Sequence, residues 1–83
     1  MNLKNIIDYC KRNGVVVFEK YDPVDRRKRY YTMVIPVFVG DEVVPSGNRE
    51  YSVKTPVECY RYVNKLLEDD LFRRKVAAWV RTW

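Results

Sequence analysis

The sequence predicts an α+β domain: a helix, a three-stranded antiparallel sheet, a second helix, and an additional C-terminal helix. Three observations predict it. Apolar residues recur at helical spacing in Leu3, Ile6, Ile7 and Cys10, and again in Cys59, Tyr60, Val63, Leu66 and Leu67. Between these segments lie runs of β-branched and aromatic residues punctuated by Gly, Pro and Asp. A third apolar stripe follows the second helix but is out of phase with it. With 83 residues the chain holds one domain, residues 1–83, with a core over 3–68 and a last helix over 71–83. Hydrophobic residues are 47% and charged residues 33%, which is a globular balance rather than a disordered one. So short a chain builds only a small core and gains from burial against a partner or a second copy.

Each element has a local reason. Asn2 can cap the first helix, and Asn13-Gly14 stops it, because glycine tolerates the left-handed position past a last turn. Val15 to Tyr21 is rich in β-branched and aromatic residues and reads as a strand, ended by Asp22-Pro23. A polar loop carries Arg26, Arg27, Lys28 and Arg29. A second strand runs from Tyr30 to Val39, with Tyr31, Met33, Ile35 and Val37 on one face and Tyr30, Thr32, Val34 and Phe38 on the other. Pro36 lacks a ladder donor and so suggests an edge position or a bulge. Gly40-Asp41 is a turn, Val43-Val44 a short return, and Pro45-Ser46-Gly47-Asn48 a second turn. Arg49 to Lys54 alternates as a third strand. Thr55-Pro56-Val57-Glu58 opens the second helix, with threonine to cap, proline at the first helical position, and a glutamate placed to reach back. Arg61, Asn64, Lys65 and Glu68 fall opposite its apolar face. The stripe Phe72, Val76, Trp79, Val80 and Trp83 would lie about 150° around from that face on an unbroken helix, at about 100° per residue. A break at Asp69-Asp70, with an aspartate capping a separate helix, resolves the mismatch.

Composition narrows the chemistry. Histidine is absent, which removes histidine acid–base catalysis, histidine-dependent nucleophiles and imidazole zinc sites. Two cysteines, Cys10 and Cys59, are too few for a zinc thiolate cluster. They read as buried free thiols in a reducing compartment, hence an intracellular, cytoplasmic location. No apolar run approaches the roughly 18 residues of a membrane span, and no membrane partner is expected. The carboxylates form no metal pattern, and Gly40 and Gly47 no phosphate-cradling motif. No enzyme activity, catalytic residue, metal or cofactor is expected.

The order helix–strand–strand–strand–helix, and several local features, resemble the double-stranded RNA-binding domain over residues 3–68. Ile6 to Gly14 is similar to that family's first helix and its glycine stop. Val37 to Val44 is similar to its second strand and the turn after it. Gly47 precedes the third strand, and Glu58-Cys59 stands where the family has a glutamate–alanine pair. The resemblance implies duplex RNA as ligand, gripped through the loop between the first two strands and the start of the last core helix. The family's lysine cluster at that helix start is replaced here by Thr55 to Arg61, with only Lys54 and Arg61 basic. Members with a degraded cluster often serve as protein-binding or dimerisation modules.

Charge points the same way as the resemblance. Sixteen Lys and Arg against eleven Asp and Glu give a net charge of +5, which attracts a phosphate backbone. The candidate nucleic-acid contacts are Arg26, Arg27, Lys28, Arg29, Lys54, Arg61, Arg74 and Arg81. The candidate protein interface is Phe72, Val76, Trp79 and Trp83 on the last helix. The expected function is a small basic nucleic-acid-binding module contacting the phosphate backbone of duplex RNA or DNA. The alternative is a protein-interaction or homodimerisation module of the same fold without nucleic-acid binding.

Overall fold

The computed structural model describes residues 2–44 and 47–83. Pro45 and Ser46 of the expected second turn lie outside the described residues. The chain starts with α1 (Leu3–Arg12), whose N-terminus is capped by Asn2 accepting the Asn5 amide at 2.9 Å. After Arg12, the Gly14 amide donates to the Lys11 carbonyl and the Val15 amide to the Cys10 carbonyl, both at 2.9 Å. Gly14 holds φ at +81°, the left-handed region that a side chain resists.

Strands β1 (Val16–Tyr21), β2 (Arg29–Ile35) and β5 (Arg49–Val53) form one antiparallel sheet in the order β1-β2-β5. Between β2 and β5 a small hairpin pairs β3 (Phe38–Val39) with β4 (Glu42–Val43). Helices α2 (Pro56–Leu67) and α3 (Asp70–Val80) complete the chain. Cross-strand register puts Val17, Met33 and Tyr51 in one row. Directly opposed residues share a face, so Val17, Tyr31, Met33 and Ile35 point together under the helices and are buried. They join Ile6 and Cys10 of α1 and Cys59 and Val63 of α2 in one core cluster.

The long second strand expected over 30–39 is two strands. The ladder of β2 ends at Ile35, and Pro36, with no N–H to donate, sits where the chain leaves the sheet for the β3–β4 hairpin. Since β2 is the central strand, Pro36 marks its end rather than an edge position. The Val44 amide closes the hairpin onto the Val37 carbonyl at 2.9 Å.

Both later helices start as their sequences require. Thr55 caps α2, its hydroxyl accepting the Glu58 amide, while the Glu58 carboxylate accepts the Thr55 and Lys54 amides at 3.2 and 2.9 Å. Thr55→Ala removes this reciprocal cap and is expected to cost about 1 kcal/mol, read as a lower denaturant midpoint at constant slope. Asp69 accepts the Phe72 amide at 3.2 Å and starts α3 as a separate helix. One residue differs from its expected side. Asn64, placed on the polar face of α2, is half-buried and accepts the Tyr9 hydroxyl, joining α1 to α2.

The stripe of α3 is largely internal. Val76 is 2% exposed, and Phe38 of β3 meets both Phe72 and Trp79 edge-on with ring centroids 6.1 Å apart. Of the four residues expected as an interface, Val76 is covered by this chain itself, and Phe72 and Trp79 are half-buried against Phe38. Trp83 alone is more than half exposed, edge-on to Trp79. Helix α3 packs on α2 and on the Gly14 turn, and leaves the far face of the sheet open, with Val16 and Phe18 exposed beside the Thr32–Ser52 hydroxyl pair.

Candidate nucleic-acid interface

The basic loop is a built structure. The Asp22 carboxylate accepts the Val24 and Asp25 amides at 2.8 and 3.1 Å, and the Asp25 carboxylate accepts the Arg27 amide at 3.1 Å. Backbone bonds from Asp22 to the Lys28 carbonyl and from Lys28 to the Asp25 carbonyl close it. The two aspartates that partly offset the charge of this loop are thus the groups that shape it. Their bracing holds Arg26, Arg27 and Lys28 exposed, and none of the three joins an ion pair among the described residues.

Arg29 is different. It is the first residue of β2, opposite Tyr21, with its guanidinium 3.3 Å from the Glu19 carboxylate and 5.5 Å from the centre of the Tyr21 ring. That engagement leaves it less able to reach a phosphate than its three neighbours.

The sheet brings two further predicted residues to the same end. Tyr31 pairs with Val53, so Lys54 leaves β5 close to where β2 leaves the loop, and α2 begins two residues later. Arg61 lies exposed on α2, beside a shallow depression that Lys54 also lines. Arg74 and Arg81 are not part of this group. Helix α3 packs where α1 ends and β1 begins, which is the other end of a strand about 20 Å long. Arg74 is also held by Asp70 at 2.7 Å, and Arg73 bonds the same carboxylate.

The Asp22 carboxyl lies below its usual range because it accepts the Asp25 amide and then the Val24 amide in its charged form. A lowered pKa means the bracing is fully present above about pH 4 and is lost as pH falls through the lowered value. In an NMR titration, the amide shifts of Val24 and Asp25 are expected to move together below the usual aspartate range. Titration of both at an unperturbed aspartate pKa would show that the turn is not held in solution.

Sequence reasoning missed a second feature. Tyr51 of β5 and Tyr62 of α2 stack at 4.6 Å with planes 13° apart. A groove of about 740 Å³ extends from this pair toward the β3–β4 hairpin, with Arg49, Lys65 and Lys75 at its margin. No local pattern announces it, because the pair is joined only when α2 closes over the edge strand. Among the described residues, no three or more His, Cys, Asp or Glu side chains come together as metal ligands would. No described helix is long and apolar enough to cross a membrane. No protein-family model matches this chain, and neither a curated protein nor a solved structure matches it.

Proposed function

We propose that the chain is a small basic nucleic-acid-binding module, not an enzyme, that grips the phosphate backbone of duplex RNA or DNA. One observation carries the reading: an aspartate-braced loop presents Arg26, Arg27 and Lys28 to solvent at the end of the sheet where Lys54 emerges. A pre-shaped loop loses less conformational freedom on binding than a mobile one, so more of its attraction to phosphate is retained. Arginine adds a planar fork that can hold two phosphate oxygens at once. The three strands of the main sheet, lying between α1 and α2, also fit the helix–strand–strand–strand–helix order on which the resemblance to the double-stranded RNA-binding domain rests, although the β3–β4 hairpin is inserted where that resemblance places the end of its second strand. Both buried thiols are compatible with a reducing cytoplasm.

The test is fluorescence anisotropy with labelled duplex RNA, duplex DNA and a single strand, at about 50 and 200 mM salt. Binding to duplex is expected to weaken steeply with salt. Joint replacement of Arg26, Arg27 and Lys28 by alanine should lower the log–log salt slope by about 2–3, at about 0.9 per lost phosphate contact. An unchanged slope and affinity in that variant would sink the loop's role.

A second reading has its own observation. Phe18 is half exposed and Val16 partly so on the uncovered sheet face, and a self-associating module would bury them. Light scattering on the same samples decides it: a strict monomer over a wide concentration range removes the homodimer.

A further inference from the structure

We infer that the groove between β5 and α2 is a second nucleic-acid site, which binds an unpaired segment by stacking its bases on the Tyr51–Tyr62 pair. It rests on the nucleic-acid reading and shares Lys54 and Arg61 with it, but its stacking pair is separate from the basic loop. Two depressions, about 740 and 530 Å³, share Tyr51, Tyr62 and Lys65 and therefore meet at the stacked pair. Together they make a track along the edge of the sheet, from Lys54 and Arg61 at one end to Arg49 and Lys75 at the other.

The charge balance of the track favours an anion. Five cations line it, Arg49, Lys54, Arg61, Lys65 and Lys75, against two carboxylates, Glu58 and Asp69. Both carboxylates already accept backbone amides at helix starts, Glu58 for α2 and Asp69 for α3. None of the five cations takes part in an ion pair among the described residues. The aromatic feature favours a planar ligand. Tyr51 is 47% exposed although it points to the helix side of the sheet, and it is held flat by Tyr62. A ring fixed by its neighbour is an ordered platform, and any base can stack on one because every base has a π-face. A duplex buries its base faces in its own stack, so this geometry suits a single strand, an overhang or a loop. An acidic peptide would answer the charge but would not need the parallel rings.

The experiment compares three labelled probes on the full chain: a U12 oligonucleotide, an abasic 12-mer with the same phosphates, and a duplex RNA. Wild type is expected to bind U12 more tightly than the abasic strand. Tyr51→Ala should weaken U12 by about ten-fold, on the scale of one lost base–aromatic stack. It should leave the abasic strand and the duplex unchanged, and Tyr51→Trp should restore U12 binding. Circular dichroism melts of both variants confirm that they fold. Equal affinity of wild type for U12 and the abasic strand overturns the inference, as does U12 binding that ignores Tyr51→Ala. An alternating Glu–Leu dodecapeptide that binds in place of U12, and is lost in Tyr51→Ala, overturns it in favour of a peptide partner. The two readings fail separately. The loop reading falls if duplex binding survives neutralisation of Arg26, Arg27 and Lys28, and the groove reading falls if U12 binding survives loss of the Tyr51 ring.

Discussion

Gly14→Ala is expected to destabilise the fold by about 2–5 kcal/mol, one of the largest effects available from adding a single methyl group. Two costs combine. The glycine holds φ at +81°, where an L side chain costs about 1–2 kcal/mol. The added carbon would also meet Val76 Cγ1 at 3.1 Å and the Trp79 ring at 3.2 and 3.4 Å. Overpacking of a filled site costs about 1–3 kcal/mol, and here the neighbours have little room to yield. Val76 is buried, and Trp79 already meets both Phe38 and Trp83 edge-on. The substitution therefore acts at two places, the end of α1 and the seat of α3. Urea denaturation with tryptophan emission measures both, since Trp79 and Trp83 report on that seat. A loss no larger than that of Gly40→Ala would mean that α3 is not packed on this turn in solution. Gly40→Ala supplies the contrast, because its φ of +61° carries the backbone cost with nothing within 4 Å of the added carbon.

That contrast explains which parts of the molecule could be read from the sequence. Gly14 as a helix stop is a local signal, because left-handed backbone is required within a few residues of Asn13. Its second role as the seat of α3 is long-range, since Val76 and Trp79 lie more than sixty positions away. The same division holds elsewhere. Thr55 with Glu58, Asp69 with Phe72, and Asn2 with Asn5 are contacts within three residues, and each was legible from residue type and spacing. Pro36 was legible as a break in the ladder but not as the end of the central strand, because strand order is set by pairings with residues far along the chain.

The candidate sites divide in the same way. Arg26, Arg27 and Lys28 stood out because they are adjacent and lie between two strand patterns. Arg29 looked equivalent by sequence, but the register of β1 on β2 sets it across from Tyr21 and near Glu19, which only the pairing reveals. The α3 stripe was legible as an apolar face. That it meets Phe38 of the same chain depended on the β3–β4 hairpin, whose two-residue strands leave almost no periodic signal. The Tyr51–Tyr62 pair was the least legible feature, since strand propensity accounts for one ring and amphipathic helix packing for the other.

Stability is expected to fall steeply between about pH 9 and 11 through the two core thiols. Cys10 and Cys59 are fully buried and free, one on α1 and one on α2. Burial pushes both thiols from an ordinary value of 9.0 up to about 11, Cys59 adding to the rise at Cys10 and Glu58 to that at Cys59. A folded pKa above the unfolded one means that the unfolded chain ionises first as pH rises. The folded state therefore keeps its full advantage below about pH 9, loses it progressively, and changes little more from these groups above about pH 11. Two pH units at about 1.4 kcal/mol each amount to about 3 kcal/mol per thiol. The pair gives less than twice that, because part of the rise at Cys10 comes from Cys59 itself. Tyr9, raised by burial and by Tyr60, acts with the same sign. Denaturant midpoints at pH 8, 9, 10 and 11 measure the slope. Each single Cys→Ala variant should flatten it, and the double variant should reduce it to the remainder from Tyr9. The slope isolates the thiols even where the variants start from a lower stability, because a cavity shifts the whole curve without bending it. A double variant with the slope of the wild type would mean that the thiols are not held dry between α1 and α2, and that the contact between these helices is looser than their packing over the sheet requires.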